Sequence, residues 1–265
     1  MGSKTTIQWT ESTWNPLTGC DQVSPGCAHC YAKALAKRLK AMGNKRYANE
    51  FKLTLHHDLL DLPLRWKAPR LVFVNSMSDL FHDDVPIEFI QAVFETMNKA
   101  THHTFQVLTK RHERLAEIAS SNLVRWTDNI WQGVSIENNR FVHRADYLRK
   151  VPARVRFLSC EPLLGALPDL NLEGIQWVIA GGESGPNFRP VSISALRQVR
   201  DMCLEAEVPF FLKQIGGIRP TSGGKILDGR EWLEMPNTPM SPGSVQIATE
   251  PRQANLFALS TEYHR

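Results

Sequence analysis

Along most of this chain a short apolar run ends in a polar cluster and gives way to a helical pattern, and the theme then repeats. The runs begin at Leu71–Asn75, Phe105–Thr109, Ile130–Glu137, Val155–Pro162, Trp177–Ser184 and Pro209–Gly217. Most are followed by segments such as IEFIQAVFETMNKA, HERLAEIAS, NRFVHRADYLRKV and SISALRQVRDMCLEA, whose apolar residues recur at helical spacing. Near-continuous apolar strands alternating with amphipathic helices are the pattern of a parallel sheet covered by helices. Thr6–Trp9 and Phe51–Leu55 are weaker strand candidates, so the pattern predicts six to eight parallel strands. The expected fold is α/β, a full or partial (β/α) TIM-like barrel in a single domain over residues 1–235. A doubly wound open sheet is the alternative, because strand order is not written in the sequence.

The barrel expectation gives the polar clusters a meaning. Active sites of such folds lie at the C-terminal ends of the strands. Asn75, Ser76 and Asp79 gather there, as do Thr109, Lys110 and Arg111, Ser135 and Glu137, Cys160 and Glu161, Glu183 and Ser184, and Lys213 and Gln214. Taken singly, each is equally a cap or turn residue; their recurrence at one end predicts a shared cavity. Glu161, flanked by Cys160 and Pro162, and Lys213, after four apolar residues, are the catalytic candidates. Beyond Gly217, turn residues at Ser222–Gly224 and Asp228–Gly229 predict a closing hairpin or loop within 217–235. There Trp232 is either a stacking surface or a structural pin. The stretch 236–265 is expected to be an extended or partly disordered tail.

Composition changes this picture little. The chain has 265 residues, 42% hydrophobic and 22% charged, with net charge +4. That charge permits a nucleic-acid partner without arguing for one. The helical pattern Tyr31–Met42 concentrates it, with Lys33, Lys37, Arg38 and Lys40 beside Leu35 and Leu39, as a solvated face or a surface that meets phosphate. No run approaches the roughly 20 apolar residues of a membrane helix. The first residues, MGSKTTIQW, lack the apolar core of a secretory signal, so a reducing cytoplasm and no membrane partner are expected.

Cysteine usage changes it more. Three of the five cysteines, Cys20, Cys27 and Cys30, fall in WNPLTGCDQVSPGCAHCYA, residues 14–32. In a reducing compartment such clustering points to metal or catalysis rather than disulfides. Zinc would need a fourth ligand from His29, His56 or His57, and His29 sits awkwardly in the tight Cys27–Cys30 turn. An iron–sulfur cluster accepts thiolates from a glycine-containing loop, and Cys160 could supply a fourth in an electron carrier. Cys203 falls in the apolar pattern of a helix.

The run Asn15-Pro16, Gly19-Cys20, Cys27 and Cys30-Tyr31-Ala32 resembles the cluster loop of radical S-adenosylmethionine enzymes, particularly the spore-photoproduct-lyase-like branch. NSMSDLFHDDVP, LTKR, GVSIEN, FLSCEPLLG, GGESGP, FLKQIGG and LDGREW are similar to landmarks of a phage-associated family of uncharacterised proteins with a three-cysteine motif. The resemblance spans roughly residues 8 to 235. It implies a 4Fe-4S cluster on Cys20, Cys27 and Cys30 whose open iron binds S-adenosyl-L-methionine. One-electron reduction, by a donor such as flavodoxin or ferredoxin, would then yield a 5′-deoxyadenosyl radical. Ser76, Asp79, Ser135, Glu137 and Glu183 become cofactor-side candidates, and a modified nucleoside, base or DNA the implied substrate, with a protein partner as a further expectation. The loop departs from the superfamily's usual C-x3-C-x2-C in being three residues longer after Cys20, and His29 stands where an aromatic residue is common. Gly181-Gly182-Glu183 resembles the superfamily's Gly-Gly-Glu segment but follows a late strand rather than an early one. The reading from another class is a non-catalytic nucleic-acid- or partner-binding protein with structural zinc.

Overall fold

A computed structural model describes residues 5–219 and 222–237. In chain order these form β1 (Ser12–Trp14), β2 (Leu17–Thr18), α1 (Tyr31–Ala41), β3 (Thr54–Leu55), β4 (Leu71–Val74) and α2 (Ile87–Lys99). Then come β5 (Thr104–Thr109), α3 (His112–Ser120), β6 (Ile130–Ser135), α4 (Arg144–Arg149), β7 (Arg156–Cys160) and β8 (Trp177–Gly181). The last are α5 (Ile193–Glu205), β9 (Phe210–Gln214), β10 (Ile226–Leu227) and β11 (Arg230–Glu231).

Seven strands make one parallel sheet in the order β1-β4-β5-β6-β7-β8-β9. Each strand is laid beside the one before it, which curls the sheet into a partial (β/α) barrel; a doubly wound sheet would reverse direction partway. All six runs read from the sequence are strands of this sheet. The seventh is Ser12–Trp14, and not Thr6–Trp9, whose Ile7 and Trp9 instead pack under the barrel. Within Phe51–Leu55 only Thr54–Leu55 is a strand; it pairs antiparallel with Leu17–Thr18 outside the main sheet.

Side chains alternate across each strand, and the two faces differ. On the outer face Val72, Val107, Val134, Leu158, Val178 and Leu212 join the main core with α2 and α5. Helix α2 contributes Phe89, Ile90, Val93, Phe94 and Met97, a helical stripe. The inner face carries a second core, in which Trp177 lies with ring centroids 6.2 Å from Trp9, 6.1 Å from Trp131, 5.7 Å from Phe157 and 6.1 Å from Phe211. Gly133 makes room for it: a Cβ there would lie 2.5 Å from the Phe157 ring.

The edge of β9 is covered. Leu212 N–H donates to Trp232 O (2.8 Å), Glu234 N–H to Phe210 O (3.2 Å), and Trp177 Nε1 to Glu234 O (2.9 Å). The β10–β11 hairpin turns through Asp228 (φ 53) and Gly229 (φ 81), the left-handed pair that a tight hairpin needs. Trp232 is buried, donates to Leu227 O (3.0 Å) and lies 3.3 Å from the Arg230 guanidinium. Its ring is thus a pin rather than an exposed stacking surface. The expected tail lies, from residue 238 on, outside the described residues. Among the described residues no helix is long and apolar enough to cross a membrane.

Candidate active site

The alternation that puts aromatic rings on the lower inner face puts polar groups on the same face two to four residues later. Ser135 and Ser159 are register partners, and both are buried. Glu161 and Lys213 continue the inner positions of β7 and β9 and form an ion pair across β8. Gly181 lies between them on β8; a Cβ there would be in ordinary contact with the Glu161 carboxyl carbon at 3.6 Å and tight only against Gln214 O at 3.3 Å.

The cysteine loop is fastened over these strand ends. Ser24 Oγ donates to Glu137 Oε1, and Arg144 donates to Glu137 Oε2 at 3.0 Å. Glu137 is fully buried, so the compensating guanidinium is essential to its charge. Lys110 Nζ is 4.0 Å from the same carboxylate. Gly26 rests directly on it: a Cβ at this position would meet Glu137 Cγ at 2.5 Å.

A second clamp comes from β8. Arg189 donates through Nε (3.0 Å) and its backbone N–H (2.8 Å) to Glu183, and through a terminal nitrogen to Pro25 O (3.0 Å) in the cysteine loop. His29 Nδ1 lies 2.8 Å from Glu183 Oε2. Burial opposes ionisation of Glu183, but Arg189 and His29 overcome it and hold its carboxyl at about 2.

A third fastening runs from β4. Asn15 Oδ1 accepts from Met77 N–H (3.0 Å) and Ser76 Oγ (3.2 Å), while Tyr31 OH donates to Ser76 O (2.5 Å). Asp79 accepts from Thr109 Oγ1 (2.7 Å), Phe81 N–H (3.0 Å) and Lys110 N–H (3.1 Å), tying the end of β5 to this turn. His82 Nε2 meets Asp21 Oδ2 at 3.2 Å. Asn75 adopts φ 65 and is buried with neither side-chain polar atom partnered.

All five cysteines are free thiols. Cys20, Cys27 and Cys30 are partly exposed on the loop. Burial, with Asp79 adding to it and Arg111 opposing, pushes the Cys20 thiol up to about 12. Cys160 is fully buried in the outer-face core, and its thiol is near enough to Cys203 to raise the pKa of that residue further. The histidines proposed for zinc are engaged elsewhere: His29 with Glu183, His56 with Thr18 Oγ1 at 2.9 Å, and His57 edge-on to Phe89.

The fold therefore brings Glu137, Glu161, Glu183, Lys213 and Ser135 to one mouth with the three loop thiols, and sets Ser76 and Asp79 in the turn beneath the loop. Sequence reasoning missed Ser24, Arg144 and Arg189, the residues that fasten the loop. Arg144 was hidden in a helix that reads as amphipathic, and the only local signal for Arg189 was a cation six residues after Glu183.

A family model described as DUF5131, protein of unknown function, matches residues 4–236. The chain belongs to this family. No curated protein matches it. Among solved structures it is similar to spore photoproduct lyase complexed with dinucleoside spore photoproduct, at 12% identity and TM-score 0.45, over 76% of this chain and 63% of that one. A mutant of the lyase with bound AdoMet and dinucleoside spore photoproduct matches at 12% identity and TM-score 0.44, with the same coverage. The DUF5131 chain thus spans 63% of the length of the lyase structures it matches.

Proposed function

We propose that this chain is a radical S-adenosylmethionine enzyme that acts on a nucleoside, a base or DNA, with Cys20, Cys27 and Cys30 as the ligands of a 4Fe-4S cluster. One observation carries the reading: three free thiols on a loop fastened at three places over the polar half of a barrel's inner face. Tetrahedral zinc would need a fourth ligand, and the three nearby histidines are engaged elsewhere: His29 with Glu183, His56 with Thr18 and His57 against Phe89. The unpartnered amide of Asn75 is a second support, since a buried amide without partners is costly unless a ligand completes it.

When bound, the cluster would supply the electron that cleaves S-adenosyl-L-methionine to methionine and a 5′-deoxyadenosyl radical. The chain's own part is positional. Glu137 and Glu183, each neutralised by an arginine, hold the loop down without presenting a bare charge to the cavity. Ser135 offers a small polar wall, and Ser76 and Asp79 fix the turn under Cys20. Glu161 and Lys213 are the partly exposed titratable pair at the mouth and can hold or pass a proton. The aromatic layer below closes that end of the barrel to water. A flavodoxin or ferredoxin is the expected reductant, in the cytoplasm.

Anaerobic reconstitution with iron and sulfide, followed by reductant and cofactor, tests the reading. Expected are about four irons per chain, lost in Cys27→Ser, and release of 5′-deoxyadenosine. Stoichiometric zinc in colourless protein, or iron without 5′-deoxyadenosine, overturns it.

A further inference from the structure

The chain's positive charge is not spread over its surface. Residues 31–52 hold seven Lys or Arg and a single acid, net +6, whereas the whole chain is +4, so the remainder is net −2. This segment is α1 and the turn after it, both inserted between β2 and β3. Lys33, Lys37 and Lys40 stand at i, i+4 and i+7 and form one exposed stripe, while Ala32 and Ala36 on the other side are buried. Two cations are neutralised locally, Lys40 by Glu50 at 3.0 Å and Arg46 by Asp58 at 2.6 Å. Lys33, Lys37, Arg38, Lys45 and Lys52 are exposed and carry no ion-pair partner among the described residues.

Two features distinguish this surface from an ordinary solvated face. First, it contains a hollow of about 490 Å³ lined by Asn44, Lys45, Arg46, Asn49, Thr54 and His56, rich in hydrogen-bond donors. Tyr47, in the same turn, packs on Ala32 and Ala36 of α1, which joins the hollow to the lysine stripe. Second, the segment is built onto the cysteine loop. Cys20 N–H donates to Phe51 O at 3.2 Å, and a Cβ on Gly19 would lie 2.2 Å from Lys52 O. Residue 30, the third cysteine, is the N-cap of α1.

We infer that residues 31–52 form a docking surface for the phosphodiester backbone of a nucleic acid, which leads a strand to the mouth beside the cysteine loop. Closely spaced unpaired cations with polar donors between them match a polyphosphate chain. An anionic membrane would need an apolar face between the cations. The exposed large apolar residues of this segment, Tyr31 and Met42, lie at opposite ends of α1. The inference deepens the proposed function by assigning its substrate class, and rests on it only there, because binding is read without the cofactor.

The test is fluorescence anisotropy of labelled single-stranded and duplex oligonucleotides against the full chain over rising KCl. Five engaged cations give a slope of log K against log salt of about −3.5 for a single strand. The double variant Lys33→Gln/Lys37→Gln should flatten the slope by about 1.4, with an unchanged circular dichroism spectrum. Lys99→Gln, on α2, should leave it alone. Absence of binding at low salt, a slope indifferent to the double variant, displacement by inorganic phosphate alone, or variant-sensitive binding to phosphatidylserine vesicles without oligonucleotide binding overturns the inference. Iron-free protein that binds sustains the surface even where the cofactor reading falls. Iron-loaded protein that does not bind overturns the surface and leaves that reading standing.

Discussion

The lower and upper halves of the barrel's inner face are made by the same strands and have opposite chemistry. Below, Trp131, Phe157, Trp177 and Phe211 pack with Trp9 into a dry aromatic layer. Above, the same alternation delivers Ser135 and Glu137, Ser159 and Glu161, Glu183 and Lys213. Because every strand runs the same way, the change of polarity falls at one end of all of them, and one mouth results. The lower half gains stability from apolar contact. The upper half must compensate each buried charge, as Arg144 does for Glu137 and Arg189 does for Glu183. Stability should therefore be sensitive below and, above, only where a compensating partner is removed.

Trp177→Ala should give the largest loss, about 3–5 kcal/mol in urea unfolding; a loss below about 1 kcal/mol would break the contrast. Glu137→Ala comes next, at about 3 kcal/mol, because it strands a buried guanidinium. A neutral result would mean that the upper half is wetter than its burial implies. Arg189→Ala removes hydrogen bonds to an ionised, buried carboxylate and should cost about 2 kcal/mol at neutral pH. The sign of its pH dependence follows from the Glu183 carboxyl at about 2, below its unfolded value of 4.5. That stability is present above 4.5 and fades as pH falls through about 2, so variant and parent should converge across this window in acid titrations of the urea midpoint. The smallest effect belongs to the partly exposed Glu161–Lys213 pair. Lys213→Met should change stability by less than about 1 kcal/mol while lowering the proposed release of 5′-deoxyadenosine, and so separate the proposed function from fold at the mouth.

The periodic parts were readable from the chain. The six apolar runs became strands and the polar residues at their ends met, because strand alternation and parallel direction are local properties repeated six times. Ser12–Trp14 escaped notice because three residues with two polar members make no apolar run; they become a strand only by pairing with Val72–Val74. Thr6–Trp9 looked more apolar and became a plug, since Trp9 finds Phe73, ring centroids 4.6 Å apart, rather than a strand neighbour. At the site, the thiols and carboxylates were visible as residue types, but their clamps were not. Ser24 and Glu137 are 113 positions apart, and His29 and Glu183 are 154 apart. No periodicity links such pairs; only closure of the sheet does.

Gly26 sets a limit on the mouth that could be relaxed only by moving the Glu137 side chain off Ser24 and Arg144. With Glu137 Cγ 2.5 Å and Oε1 2.6 Å from where its Cβ would stand, a hydrogen atom is all that separates the loop backbone from the carboxylate floor. The loop that carries the three thiols therefore lies one methyl group closer to Glu137 than any other residue at position 26 would allow without displacing that carboxylate.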